Sequence, residues 1–420
     1  MTPLAHRAVE LDRDDPLQRF RDEFILTPGQ VYLDGNSLGL ASRRAETRAV
    51  EALNAWKTLG IGGWLDAQPP WFTLAEHLGE RMSPLVGAEP EAVVVAGSTT
   101  TNLHQGLATL FRPQGQRNKI LADGLAFPTD IYAIQSHLRL RGLDPDQHLI
   151  KVESVDGVTL DESAIIDAMT DDVALAVLPS VVYRSGQLLD LARLAAEARS
   201  RGVILGVDAS HSVGAVPHHF DAWGVDFAFW CTYKYLNGGP GAVATLYVNR
   251  RHWGVVPGMA GWFGERKDRQ FAMAHQFEPA PAAGGWQLGT PHILSMAPLL
   301  GSLELIAEAG IESIRQKSLA LTSYLRELVH EQLPEFGCVT PVEDDRRGGH
   351  LALTHPDASR ISRALRRHGV IPDHRPPDIV RMAPVALYTS FADVAEAVRR
   401  LRSILDADDL GEPHAGDLVS

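Results

Sequence analysis

VILGVDASHSVGAVPHHFDAWGVDFAFWCTYKYLNGGPG, residues Val203–Gly241, opens on an apolar run ending at Asp208 and closes on a lysine set among aromatic residues. The run Val203–Asp208 reads as a buried strand, and the same kind of run recurs upstream. AVVVA (Ala92–Ala96), KILAD (Lys119–Asp123), HLIKVE (His148–Glu153) and VALAVLPSVV (Val173–Val182) are short, apolar and rich in β-branched residues. Between them lie stretches of helical character: Ser98–Phe111, Pro128–Gly142, Asp161–Met169 and Leu188–Gly202. Strands alternating with helices make βαβ units, so the predicted fold class is α/β, with a mostly parallel central sheet flanked by helices. After about residue 295 the pattern becomes more helical, with a few strands such as HLALTH (His350–His355), and predicts a smaller α+β C-terminal domain. Upstream, the first thirty residues predict one or two short helices. VYLDGNSLGL (Val31–Leu40) predicts a strand and turn, 43–58 a helix, and GIGGWLDAQPPWF (Gly60–Phe72) a loop before a helix that Gly87 stops.

Composition narrows the function. The 420 residues are 45% hydrophobic and 22% charged, ordinary for a soluble globular chain. With 39 basic against 52 acidic residues the net charge is −13, which argues against a nucleic-acid partner, whose phosphates need a basic footprint. Two cysteines, Cys231 and Cys338, make neither a disulfide framework nor a zinc cluster, and fit a reducing cytoplasm. The N-terminus does not read as a signal peptide, and no run of about 18 apolar residues predicts a membrane span. GxGxxG after a first strand, GxxxxGK[ST] and HExxH are all missing, so no dinucleotide site, no P-loop and no metal site is predicted.

In an open α/β sheet, ligands bind beyond the carboxyl ends of the strands. Asp208 stands at such an end, either as an N-cap for the next segment or as the partner of a ligand cation. Lys234, 26 positions later, is either a solvated strand-end lysine or a buried amine whose lowered pKa suits Schiff-base chemistry. Ser98–Asn102 (STTTN) opens a helix after a strand, as a simple cap or as an anion site in which Thr99 and Thr100 face a phosphate, with Tyr233 as a further donor. Phe127 and Asp130, in AFPTD, are a core ring and a first-turn acid, or a stacking face and a second carboxylate. Aspartate at a strand end followed one βα step later by lysine is similar to the aspartate-aminotransferase-like class of pyridoxal 5′-phosphate (PLP) enzymes, in which the acid serves the pyridinium nitrogen.

YLDGNSLGL, TTTNLHQGL, AFPTDIYA, the long block Val207–Gly241, GWFG and RMAPVALYTSF together resemble kynureninase, of the bacterial type, along nearly the whole chain. The resemblance implies the PLP-dependent transferase fold (fold type I). Its implied layout is an N-terminal segment, 1–45, packing with the small domain, a large PLP-binding domain over 46–295, a small C-terminal domain over 296–410 and a frayed tail over 411–420. It implies that Lys234 carries PLP as a Schiff base, that Asp208 pairs with the ring nitrogen and that His211 lies close by. Phe127 then stacks on the ring with Asp130 near it, while Thr99, Thr100 and Tyr233 hold the cofactor. Trp262 and Thr290 reach in from the partner of a homodimer. Asn36, Ser37 and Trp64 border the substrate, and Arg381 takes its α-carboxylate.

The implied reaction is hydrolysis of the Cβ–Cγ bond of L-kynurenine to anthranilate and L-alanine, with Lys234 and Tyr233 as proton carriers. It belongs to the kynurenine pathway, in tryptophan catabolism and NAD biosynthesis. Animal members carry His where Trp64 stands and Asn where Thr290 stands. The larger apolar surface predicts a preference for L-kynurenine over 3-hydroxykynurenine, though a modest one. Two other readings are weighed: a cysteine desulfurase-like PLP lyase, which would need a reactive cysteine, and a non-catalytic protein that senses an amino acid.

Overall fold

The alternation read from Ala92 onward folds as a seven-stranded sheet in a computed structural model that describes residues 3–411. Its strands are β1 (Val93–Val95), β2 (Lys119–Asp123), β3 (Leu149–Val152), β4 (Val173–Pro179), β5 (Ile204–Asp208), β6 (Phe227–Trp230) and β7 (Thr245–Val248). Their spatial order is β1-β7-β6-β5-β4-β2-β3, and only β7 runs against the others. Strands such as FAFW are apolar at every position because helices cover both faces. The register aligns Pro179 with Asp208 and Asp208 with Phe229, so the carboxyl ends of β4, β5 and β6 form one rim.

Helix α3 (Thr99–Leu110) follows β1 and α4 (Pro128–Leu140) follows β2, so both helix N-termini face that rim. The side chain of Ser98 accepts from the Thr101 amide, and Pro128 occupies the first turn of α4, where its missing N–H costs nothing. Gly106 fixes how close α3 comes: a Cβ there would collide with the Phe227 ring of β6.

A second core lies in the C-terminal half. An antiparallel sheet of β8 (Gly337–Cys338), β9 (Leu351–Thr354), β10 (Asp373–Arg375) and β11 (Ile379–Met382), in the order β10-β11-β9-β8, packs with α6 (Ile311–Gln332) and α7 (Phe391–Asp406). The N-terminal segment is clamped onto this half by buried charge. Asp12 accepts from the Phe391 and Ala392 amides at the start of α7, at 2.7 and 3.0 Å. Asp15 pairs with Lys317 at 2.6 Å, and Arg21 pairs with Asp393. Val31–Tyr32 adds a parallel pairing to Val370–Ile371.

Several sequence expectations are refined. The strand expected over Val31–Leu40 is two residues of strand followed by turns, because Asp34, Gly35 and Asn36 break it. The Gly60–Phe72 loop contains a short helix, Gly63–Asp66. Residue 295, the expected end of the large domain, falls inside α5 (Ile293–Ala309), whose Met296, Leu299 and Leu303 sit in the same core as the seven-stranded sheet. All but the first residue of the predicted frayed tail, 411–420, lies outside the described residues. Among the described residues no single helix is long and apolar enough to cross a membrane.

Candidate active site

The rim formed by β4, β5 and β6 opens into a cavity of about 550 Å³. Asn36, Ser37, Thr99, Thr100, Phe127, Asp130, Asp208, His211, Tyr233 and Lys234 all border it, so most of the residues singled out in the sequence converge on one space.

Lys234 is partly buried, and desolvation pulls its amine below the ordinary lysine value. Its Nζ lies 2.8 Å from Nε2 of His211, which is itself held well below the usual histidine range by burial and then by the Lys234 charge. The loop carrying Asn36 and Ser37 is pinned here because the Gly39 amide donates to the Tyr233 carbonyl at 2.7 Å, and a Cβ on Gly39 would collide with the Lys234 carbonyl and Asn237. Tyr233 is half-buried and its phenol is pushed upward by desolvation.

Three carboxylates gather along the strand ends. Asp208 accepts from the Ser210 amide at 2.9 Å. Asp123 accepts from the Leu125 amide at 2.8 Å, and burial raises its pKa to about 6. Asp130 is raised well above the carboxylate range, first by burial and then by the charges of Asp208 and Asp123; its Oδ1 is buried without a hydrogen-bond partner among the described residues. Such a cluster is poised for a cation. At the other side, Thr99 and Thr100 open α3, and the Thr100 hydroxyl meets that of Thr129 at 2.9 Å. Those hydroxyls and the free amides of the helix N-terminus suit a phosphate. A group with a cationic ring nitrogen, an anionic phosphate and an aldehyde for an amine therefore fits the residues present, which is the donor set PLP requires.

Two wall residues were missed in the sequence. Tyr183 follows β4 and packs edge-on against Phe127, ring centroids 5.5 Å apart. Arg375, from β10, completes the wall. Arg381 sits behind it, fully buried, donating to the Tyr183 carbonyl and to Ser37 Oγ and paired with Asp373, which also takes Arg375 at 3.2 Å. Burial lowers Arg381 to about 10, which still leaves it charged at neutral pH. The rule placing ligands beyond strand ends would have found Tyr183, and the alternation Asp373-x-Arg375 on one strand face was visible too.

Besides Arg381, three expected residues do not reach this cavity within one chain. Trp64 lines an apolar groove with Trp56 and Trp71, Thr290 lines a neighbouring cleft, and Trp262 is exposed.

A family model for the kynureninase C-terminal domain matches residues 314–401. The kynureninase of Geobacillus thermodenitrificans (strain NG80-2) is 56% identical over 407 residues, covering 96% of this chain and 95% of that one. That of Shouchella clausii (strain KSM-K16) is 53% identical over 399 residues, covering 95% and 93%. Among solved structures, an apo cysteine desulfurase from Thermococcus onnurineus NA1 gives a TM-score of 0.78 at 18% identity, covering 93% of this chain and 98% of that one. A lysine-to-alanine mutant of C-DES, with glycine covalently linked to its PLP cofactor, gives 0.79 at 19%, covering 91% and 98%. At such identities the likeness is one of fold, and the fold is the type I fold of PLP-dependent enzymes. At more than half identity over nearly the whole length, the chain belongs to the kynureninase family.

Proposed function

We propose that this chain hydrolyses the Cβ–Cγ bond of L-kynurenine to anthranilate and L-alanine, with PLP on Lys234. The observation that carries the chemistry is the shared cavity of Lys234 and Asp208, a desolvated amine facing a carboxylate at a strand end. When bound, PLP supplies an electron sink for the pair released at the substrate's Cα. Asp208, flanked by Asp123 and Asp130, holds positive charge at the ring nitrogen. Thr99 and Thr100 hold the phosphate, with the Tyr233 hydroxyl as a further donor, and Phe127 offers its face to the ring. The Lys234 amine, once free, moves the α-proton, and Tyr233 keeps its phenol protonated for donation. Arg375 on the wall, with Arg381 buried directly behind it, gives a cationic patch for the α-carboxylate, and Ser37 and Asn36 line the same cavity.

The active form in this reading is a homodimer, in which Trp262 and Thr290 of one chain complete the cavity of the other and Trp64 borders the substrate's ring. Its support is that these residues are absent from the lining of their own chain's Lys234 cavity, and that Trp64 shares an apolar groove with the exposed Trp56. The setting is tryptophan breakdown in the cytoplasm. Cys231 disfavours a desulfurase-like lyase: it is buried, 3.9 Å from the Ser210 carbonyl, and its thiol is pushed upward by desolvation, the opposite of a reactive cysteine.

The test is to mix PLP-loaded protein with L-kynurenine and quantify both products. Equimolar anthranilate and alanine, lost in Lys234→Ala, is expected. A visible cofactor band that Lys234→Ala abolishes, without either product, would keep the cofactor and overturn the substrate.

A further inference from the structure

Behind His211 lies a second buried imidazole that the proposed reaction does not use. His350 is fully buried, at the entrance to β9 of the C-terminal sheet, and its ring centroid lies 6.1 Å from that of His211 with the planes at 61°. Gly186, at φ +78°, leaves room for it: a Cβ there would press on the His350 carbonyl and approach Nε2 at 3.3 Å. The positive groups acting on the two rings are the same three, Lys234, Arg381 and Arg375, and with burial they hold both imidazoles well below the usual histidine range. Both rings are therefore neutral, each with one N–H and one lone pair.

The tautomers follow from the partners. With Lys234 free of the cofactor, Nε2 of His211 faces its Nζ at 2.8 Å, and since an ammonium there can only donate, Nε2 is the acceptor and Nδ1 carries the proton. That Nδ1–H is buried and has no hydrogen-bond partner among the described residues. Neither ring nitrogen of His350 is in hydrogen-bond geometry with them either, although the Tyr183 carbonyl draws a proton onto that ring. A proton held toward Tyr183 leaves the other nitrogen of His350 as a lone pair, the complement that Nδ1–H of His211 lacks. Ring centroids 6.1 Å apart suit a single bridging water rather than direct contact.

We infer that His350 is a positioning residue: it receives the Nδ1 proton of His211 through one water and so fixes the tautomer whose Nε2 lone pair faces Lys234. The C-terminal sheet thereby takes part in setting the proton inventory around the lysine. This rests on the reading that Lys234 carries PLP, and it assigns a role to a residue that touches neither substrate nor cofactor.

The experiment compares PLP-loaded wild type, His350→Phe and His350→Gln. Phe keeps the ring volume and removes both nitrogens, whereas Gln restores a donor and an acceptor. The visible absorbance of the cofactor is titrated against pH, and kcat is measured across the same range. Expected is a displaced absorbance midpoint in His350→Phe together with a kcat loss of about tenfold, the scale of one buried group left unpaired. His350→Gln returns both toward wild type. If Phe does not fold, His350→Met takes its place. Unchanged midpoints in the nitrogen-free variant, or equal displacement by Phe and Gln, would overturn the inference, the latter by showing that only packing matters. A wild type with no visible band that depends on Lys234 would instead overturn the cofactor reading.

Discussion

Asp123→Asn isolates the electrostatic strain stored beneath the cofactor site. Asp123 is 1% exposed, and burial, reinforced by Asp208 and Glu153, raises its pKa from 3.8 to about 6. A carboxyl that ionises less readily in the folded state binds more protons there than in the unfolded chain. Its favourable contribution is therefore complete below pH 3.8 and is lost as the pH rises through about 6. At roughly 1.4 kcal/mol per unit, the shift corresponds to about 3 kcal/mol once both states are ionised, of which about 2 kcal/mol falls between pH 4 and pH 7. Asn keeps the acceptor for the Leu125 amide but cannot ionise.

The assay is urea unfolding of the apoprotein, wild type against Asp123→Asn, at intervals across that range, followed by tryptophan fluorescence. Other carboxyls contribute to both proteins, so the quantity of interest is the difference between them. Wild type should lose about 2 kcal/mol relative to the variant from pH 4 to pH 7, whatever the constant offset from Asn's unpaired amide. Asp130 adds in the same direction, since its own rise is partly due to Asp123. A difference that stays flat, or that grows in favour of wild type as pH rises, would refute the claim that burial forces a proton onto this cluster.

Asp208→Ala should lower kcat far more than Asp208→Glu, measured on PLP-loaded protein; equal and small effects would reduce Asp208 to a turn cap. Lys317→Met should destabilise the chain by about 3–5 kcal/mol in chemical denaturation, because it leaves Asp15 buried without its cation. The ratio of kcat/KM for L-kynurenine over 3-hydroxykynurenine should exceed one by a modest factor, and comparable values would remove the role assigned to Trp64.

What could be read in the sequence is what neighbours along the chain determine. Asp208, Lys234, Thr99, Phe127 and Asp130 each sit within a few residues of a strand's carboxyl end, so the alternation of strands and helices places them on one rim. The run at Val93–Val95 and the hydroxyls after it specify both a strand and a helix start, and α3 duly opens at Thr99. Arg375 and His350 escaped that logic because no strand end of the large sheet lies near them in sequence; the Asp373-x-Arg375 alternation marks a strand face but not which cavity it meets. They come to the cavity wall and to its rear only because β9, β10 and β11 pair across the C-terminal sheet, with Asp373 opposite Arg381. Residue 295 falls within a helix for the same reason: α5 is continuous with the helical C-terminal half in sequence, yet it packs along α2 (Arg43–Leu59), with Arg44 and Arg48 pairing to Glu308 and Glu304.

This division also explains why one site needs both halves. The large sheet supplies the amine, the acids and the helix N-terminus, all fixed by strand ends in one rigid layer. Among the described residues it supplies no guanidinium to the cavity wall. Arg375 and Arg381 come from β10 and β11, and Tyr183, which lies about 6 Å from both guanidinium groups, links them to Phe127 on the opposite side. The loop with Asn36 and Ser37 is held between the halves, by the Gly39 contact to Tyr233 on one side and by Arg381 on the other. On the proposed function, a substrate held by its carboxylate at the C-terminal half and reacting at the Lys234 end would span the two cores. Weakening the clamp that Asp12, Asp15 and Arg21 form on the C-terminal half should then raise KM for an amino acid before it alters binding of the cofactor alone, whose proposed contacts lie on the large sheet.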